Sequence, residues 1–415
     1  MAEAKTKADD RLGALTLPEG GGWLGAARKQ ALARLEAVGL PGRRDEYWRY
    51  TNPAPLVQAA PAAPTPVQGE DPFAGIDAYV ITIDGDALDL PDGAPEGVEV
   101  TTLAKVAKAD IHWAKDLYGK LEAAGSRPVS RPFAMLNTAF ATGGLAIRVT
   151  GKVARPIHVR TTGGTDPILH HIVKVDADAS VTLLESGAAG ARTNIVTEID
   201  VADRGAFHHL RVQGPDAGNH ENTHLFARLG RESLFKSFTL GAQGPLTRNE
   251  AVIELTGDDA SAHIAGVAFG RGDMHHDDTV FVTHDAENCE SRQVFKKVLR
   301  DGATGVFQGK ILVKEGAQKT DGYQISKALL LDDDSVFLAK PELEIYADDV
   351  ACSHGSTTGA IDETALFYLR SRGVSKRVAT DLLVLSFLAE AVEEIADEGL
   401  RAHVGELLAD WLARG

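Results

Sequence analysis

ILHHIVKV (168–175), SVTLLES (180–186), TNIVTEIDV (193–201), AFHHLRV (206–212), SLFKSFTL (233–240), EAVIELT (250–256), AHIAGVAFG (262–270), DTVFVTH (278–284), GVFQGKILV (305–313) and LEIYA (343–347) share one pattern. Apolar and polar residues alternate with a period of two, which is the signature of strands with two different faces. The corners between the runs (DADA, ADRG, GPDAGN, TGDDA, GRGD, LDDD) carry turn formers. No long helical pattern separates the runs, which argues against βαβ units. About 200 residues of unbroken strand exceed an ordinary sandwich of ~100 residues. A stacked coil has no such limit, because each rung buries its face on its neighbours. The expected fold is therefore mainly β, with a β-solenoid over residues 144–360, although no strict repeat marks the rungs.

Outward from this core the pattern turns helical. Trp23, Leu24, Ala27, Ala31, Leu32, Leu35 and Val38 fall on one helical face that ends at Pro41-Gly42. Residues 53–72 hold six of the chain's 17 prolines and read as an extended linker. A small β patch is expected over 78–103, a helix over 103–124, and a short helix opening at Pro132. Residues 1–143 thus form a mixed, mostly helical region. At the other end, IDETALFYLRSRG stops at Gly373 and Ser375 can cap the next helix. Residues 361–415 are expected to be a small helical domain. Its broad stripe (Leu382, Leu383, Val384, Leu385, Phe387, Leu388) packs within that domain or offers a face to a partner.

The chain has 415 residues, 44% apolar and 25% charged, which excludes wholesale disorder. Its net charge of −16 makes it a poor ligand for phosphate backbones or anionic lipid. The first residues, MAEAKTKADDRLG, lack the apolar run of a secretory signal, and no run is long enough for a transmembrane helix. The cytoplasm is the expected location. With 2 cysteines the chain can build neither a disulfide framework nor a four-cysteine zinc site.

Catalytic motifs are scarce: no G-x-x-x-x-G-K-[ST], no G-x-S-x-G and no C-x-x-C. HENTH (220–224) fits H-E-x-x-H, but zinc needs the two histidines on one helical face. On a strand they stand ~13 Å apart. HHDD (275–278) reads as a solvated corner, Asp332-Asp333-Asp334 as a charged turn, and Cys289 as a small buried hydrophobe. Cys352 and His354 are different. On a strand, residues i and i+2 emerge side by side. They share parity with Glu344 and Tyr346, whereas Leu343, Ile345 and Ala347 look core-facing. A strand running straight through Asp348-Asp349 would turn both away from the core, and a bend there would reset them. Two donors make half a metal or cluster site, whose other ligands come most simply from another chain.

At this point the sequence resembles the SufB/SufD family of Fe–S cluster assembly proteins, on its SufD side. The pieces are AENCESRQVFK (286–296), ATGVFQGKILV (303–313), AQKTDGYQISKALLL (317–331), KPELEIYADDVACSHGSTTGAIDETALFYLRSRG (340–373) and RRDEYWRYTNPAPL (43–56). SufB sequences carry a Glu-His-Glu-Ala tract where this chain reads Ser353-His354-Gly355-Ser356. The resemblance implies a right-handed parallel β-helix flanked by helical ends, paired with the β-helix of SufB. It implies C-terminal helices that dock the ATPase SufC, for which Leu382, Leu385 and Leu388 are the candidates. It also implies a non-enzymatic scaffold that binds no nucleotide. Iron or a nascent Fe–S cluster, shared with SufB, would meet His354, and Cys352 beside it. An exposed solenoid edge would also allow a homodimer of the isolated chain. Two other readings compete. A β-helical carbohydrate-active enzyme predicts secretion and activity on a glycan. A purely structural subunit predicts that Cys352 and His354 are inert.

Overall fold

Period-two alternation becomes two stacked sheets. The computed structural model describes residues 10–19, 22–61, 70–85, 87–108, 113–187, 190–214, 218–242 and 244–414. From Leu145 to Gly359, successive strands alternate between a nine-stranded and a ten-stranded sheet, so each strand pairs with the next but one. The pairing is parallel and in register: Ala206–Gln213 lies beside Leu234–Ala242, and that beside Ser261–Arg271. The result is a parallel β-solenoid of about seven turns. Ile147, Ile199, Phe207, Ile253, Phe295 and Phe307 fill its interior.

The sheets begin before residue 144. Tyr79–Asp84 pairs in parallel with Ile157–Thr162, and Val98–Thr102 pairs antiparallel with Leu145–Val149. The patch at 78–103 is therefore the starting edge of both sheets. The proline-rich run is not all linker either. Ala54–Val57 is a helical turn with Leu56 fully buried, and Arg192 donates to the carbonyls of Pro55, Leu56 and Gln58. Residues 62–69 of that run, the first nine residues of the chain and the corner at 215–217 lie outside the described residues.

Each sheet has an outer face, and each is covered by one end of the chain. The N-terminal elements, with Leu117, Tyr118 and Leu121, pack on Phe226, Val252 and Phe281 of the nine-stranded sheet. The C-terminal helices Glu363–Ser371, Lys376–Val392 and Glu398–Arg414 cover the ten-stranded sheet. Ser375 caps the second of these, as the sequence indicates. Its buried side does not close a separate small core. Val384, Leu388, Ala391 and Val392 pack on Leu210, Phe238, Val267 and Val294 of the solenoid. Ionic contacts fix the seat: Glu394 meets Arg292 (2.5 Å) and His263 (2.9 Å), and Glu390 meets Lys296 (2.6 Å). No helix among the described residues is long and apolar enough to cross a membrane.

Candidate functional site

The solenoid ends with two open strands. Val336–Ile345 closes the nine-stranded sheet and Val350–Gly359 closes the ten-stranded one, each paired on one side alone. The unpaired row of backbone donors and acceptors on each is a ready template for another chain. Val336 (42% exposed), Ile345 (38%) and Tyr346 (61%) add an apolar rim to this mouth. Sequence reasoning placed Ile345 in the core. Residues 337–344 of this strand are all half-buried, and Ile345 at its end is exposed because no further described rung follows to cover it.

Cys352 and His354 lie on the closing strand. One strand ends at Ile345 and the next begins at Val350, so parity does not carry through Asp348-Asp349. Leu343 and Cys352 both pack on the interior cluster of Ile311, Val313, Ala317 and Ala347. Cys352 therefore faces the lumen at its open end, over Gly322, with which it is in register. Burial pushes its thiol upward from the ordinary cysteine range. His354 shares that face by alternation, is exposed, and stands in register with Gln324 of the strand Thr320–Leu330. Side by side at the mouth, they offer one sulfur and one imidazole. Among the described residues no three His, Cys, Asp or Glu side chains converge to hold a metal.

The partner-face residues separate sharply. Leu382 is 47% exposed, Leu385 is half-buried against the solenoid, and Leu388 is fully buried in it. Leu388 is thus a core residue and no docking residue. The exposed large apolar residues of the first two C-terminal helices are instead Leu382, Val378 (43%), Phe367 (73%) and Tyr368 (56%). Phe367 and Tyr368 were missed because the reading followed the buried face through Leu366. Helical spacing puts them on the opposite side, which was the available signal.

The other sequence candidates fall away. HENTH opens the strand His220–Leu229, so it lacks the helix that zinc ligation requires. His224 is buried beside Glu250 instead (3.6 Å). HHDD is no solvated corner. It opens the strand His275–His284, with Asp277 paired to buried Arg248, and Asp278 bound by buried Lys297 (2.6 Å). Neighbours on a strand point to opposite faces, so one pair serves the outer interface and the other the lumen. Asp332 is a turn carboxylate that accepts from the amides of Asp334 and Ser335. Cys289 is fully buried, and burial pushes its thiol up to about 11.

Comparison with known proteins gives the lineage. Residues 159–387, which run from the early rungs into the second C-terminal helix, match the model of the SUF system FeS cluster assembly SufBD core domain. The chain is 29% identical over 399 residues to the iron-sulfur cluster assembly protein SufD of Escherichia coli, covering 91% of this chain and 90% of that protein. It is 26% identical to an iron-sulfur cluster assembly SufBD family protein of Synechocystis, covering 92% and 90%. It is 28% identical to SufD of Bacillus subtilis, covering 65% and 64%. The solenoid, its open end and these matches agree: the chain belongs to the SufBD family of Fe–S cluster assembly proteins, as a SufD-type member.

Proposed function

We propose that this chain is the SufD-type scaffold subunit of a SufB–SufC–SufD complex and supplies half of a ligand set for iron or a nascent Fe–S cluster. The observation that carries the reading is the open end of the solenoid. It sets an exposed imidazole (His354) beside a lumen-facing thiol (Cys352) on a strand whose other edge is unpaired. A cluster needs more ligands than these two. The unpaired edge is where a second solenoid, that of a SufB-type partner, would add both strands and ligands. The acidic chain carries no phosphate-binding loop, so nucleotide chemistry falls to the ATPase partner. Leu382, Val378, Phe367 and Tyr368 form the face offered to that ATPase. No bond is made or broken by this chain in the reading. Its side chains hold and orient cargo.

The test is His354→Ala in the co-expressed complex. The three subunits are expected to co-purify as in the wild type, while cluster assembly, followed by visible absorbance and Mössbauer spectroscopy, is lost. A normal cluster yield from that variant removes the ligand claim. Cys352→Ala, measured alongside, reports whether the thiol shares the role.

A further inference from the structure

The lumen directly beneath His354 holds a column of amides without partners. Gln293, Gln324 and His354 occupy one register position on three successive rungs of the ten-stranded sheet. Gln293 and Gln324 are 0% exposed, and neither amide nitrogen nor oxygen has a hydrogen-bond partner. An unpaired buried polar group costs about 1–3 kcal/mol. Inward polar neighbours are handled differently: Ser326 donates to Ser356 (2.9 Å), and Lys297 donates to Asp278 (2.6 Å) and His276 (2.9 Å). The facing sheet also makes room for the amide. A Cβ at Gly309 would overlap Gln324 Nε2, so glycine there lets the glutamine lie across the lumen. The His354 imidazole, in turn, has no hydrogen bond to any described residue.

A metal-ligating histidine uses one ring nitrogen for the metal and needs an acceptor for the N–H on the other, which fixes tautomer and ring orientation. Resting on the reading of His354 as a ligand, we infer that Gln324 is its positioning residue. Neither bond is made in the arrangement above, where the amide lies across the lumen; on turning, Gln324 Oε1 accepts the free ring N–H of His354 and Nε2 donates down the column to Gln293. The amide column is thereby polarised towards the mouth, and the imidazole presents its other nitrogen outward to the cargo.

The test compares Gln324→Met, which keeps length and loses both hydrogen-bonding atoms, with Gln324→Glu, which keeps an acceptor. Each is made in the full chain and co-purified with its SufB- and SufC-type partners, with His354→Ala in parallel. Gln324→Met is expected to lower cluster yield about 10–100-fold, the usual range for loss of an outer partner. Its thermal midpoint should stay near that of the wild type, because methionine fills the same space in the lumen. Gln324→Glu should recover most of the yield. In the isolated chain, nitrogen NMR of labelled histidines should show a single His354 tautomer in wild type and Gln324→Glu, and exchange between tautomers in Gln324→Met. Wild-type yield and an unaltered His354 signal in Gln324→Met overturn the inference. So does equal loss in both variants, or a loss that comes with a collapsed thermal midpoint. If His354→Ala keeps full yield, the ligand reading fails, and the NMR comparison alone then decides whether Gln324 holds His354.

Discussion

Leu382 and Leu388 belong to one helix and do opposite work. Leu388 is sealed against the solenoid with Val384 and Ala391, whereas Leu382 stands in solvent beside Val378. Leu388→Ala should therefore destabilise the fold by roughly 2–5 kcal/mol, the cost of a core cavity. Leu382→Asp should leave the unfolding midpoint of the isolated chain within error and abolish co-purification of the ATPase partner. Retained ATPase binding by Leu382→Asp moves the docking face elsewhere. The cysteines divide in the same way. Cys289 donates to the carbonyl of Gly257 (3.3 Å) inside the core, and Cys352 lines the mouth. Their types are identical in the sequence, and the rung that follows, or does not follow, sets their roles.

Elements in a solenoid are held by their neighbours, so close approach between rungs is the sensitive feature. At Gly257 an added Cβ would overlap the backbone of Gly230 and Arg231 in the rung before. Backbone cannot step aside as a side chain does. Gly257→Ala is expected to cost about 1–3 kcal/mol, the range for overpacking, and to lower the urea midpoint measurably. A midpoint equal to wild type would mean that the corner can flex. The strand beginning HHDD shows what alternation does with charge. His276 and Asp278 meet Lys297 in the lumen, while Asp277 meets Arg248 under the N-terminal cover. A run of polar residues thus stays buried on both faces. Burial raises the Asp278 carboxyl, but Lys297 and His276 outweigh that and hold it well below the usual carboxylate range.

At the scale of the whole molecule, buried histidines tie the fold to pH. Burial lowers His171 and His284 to about 4. The His171 ring accepts from the amide of Leu145 (3.1 Å), a bond that protonation at that nitrogen would break. The sign follows from proton binding. Unfolded histidine, near its ordinary value of ~6.5, binds protons that the folded state refuses. Their contribution is fully present above about pH 6.5, falls as the pH drops, and is exhausted near pH 4. Each group is worth on the order of 3 kcal/mol across that window. Urea unfolding at stepped pH should show the loss, and His284→Gln should flatten its slope. A midpoint constant from about pH 6.5 to 4 would contradict the assignment.

The sequence by itself determined that the chain would form a solenoid of alternating strands. Alternation in runs such as ILHHIVKV and SVTLLES reappears in the strands Ile168–Val175 and Ser180–Ser186, because a period of two is a local property of extended backbone. It also singled out Cys352 and His354 as neighbours on one strand face. Tertiary structure decided everything that depends on what lies across a gap. It broke parity at 346–349 and so turned Cys352 into the lumen. It buried HHDD, packed Leu56, and drew the strands at 79–84 and 98–102 into the sheets. It placed Leu388 inside and Leu382 outside, and set Gln324 beneath His354. Local pattern records which face a residue shares, but the partner on that face comes from a rung about 30 residues away, and burial is a property of the pair.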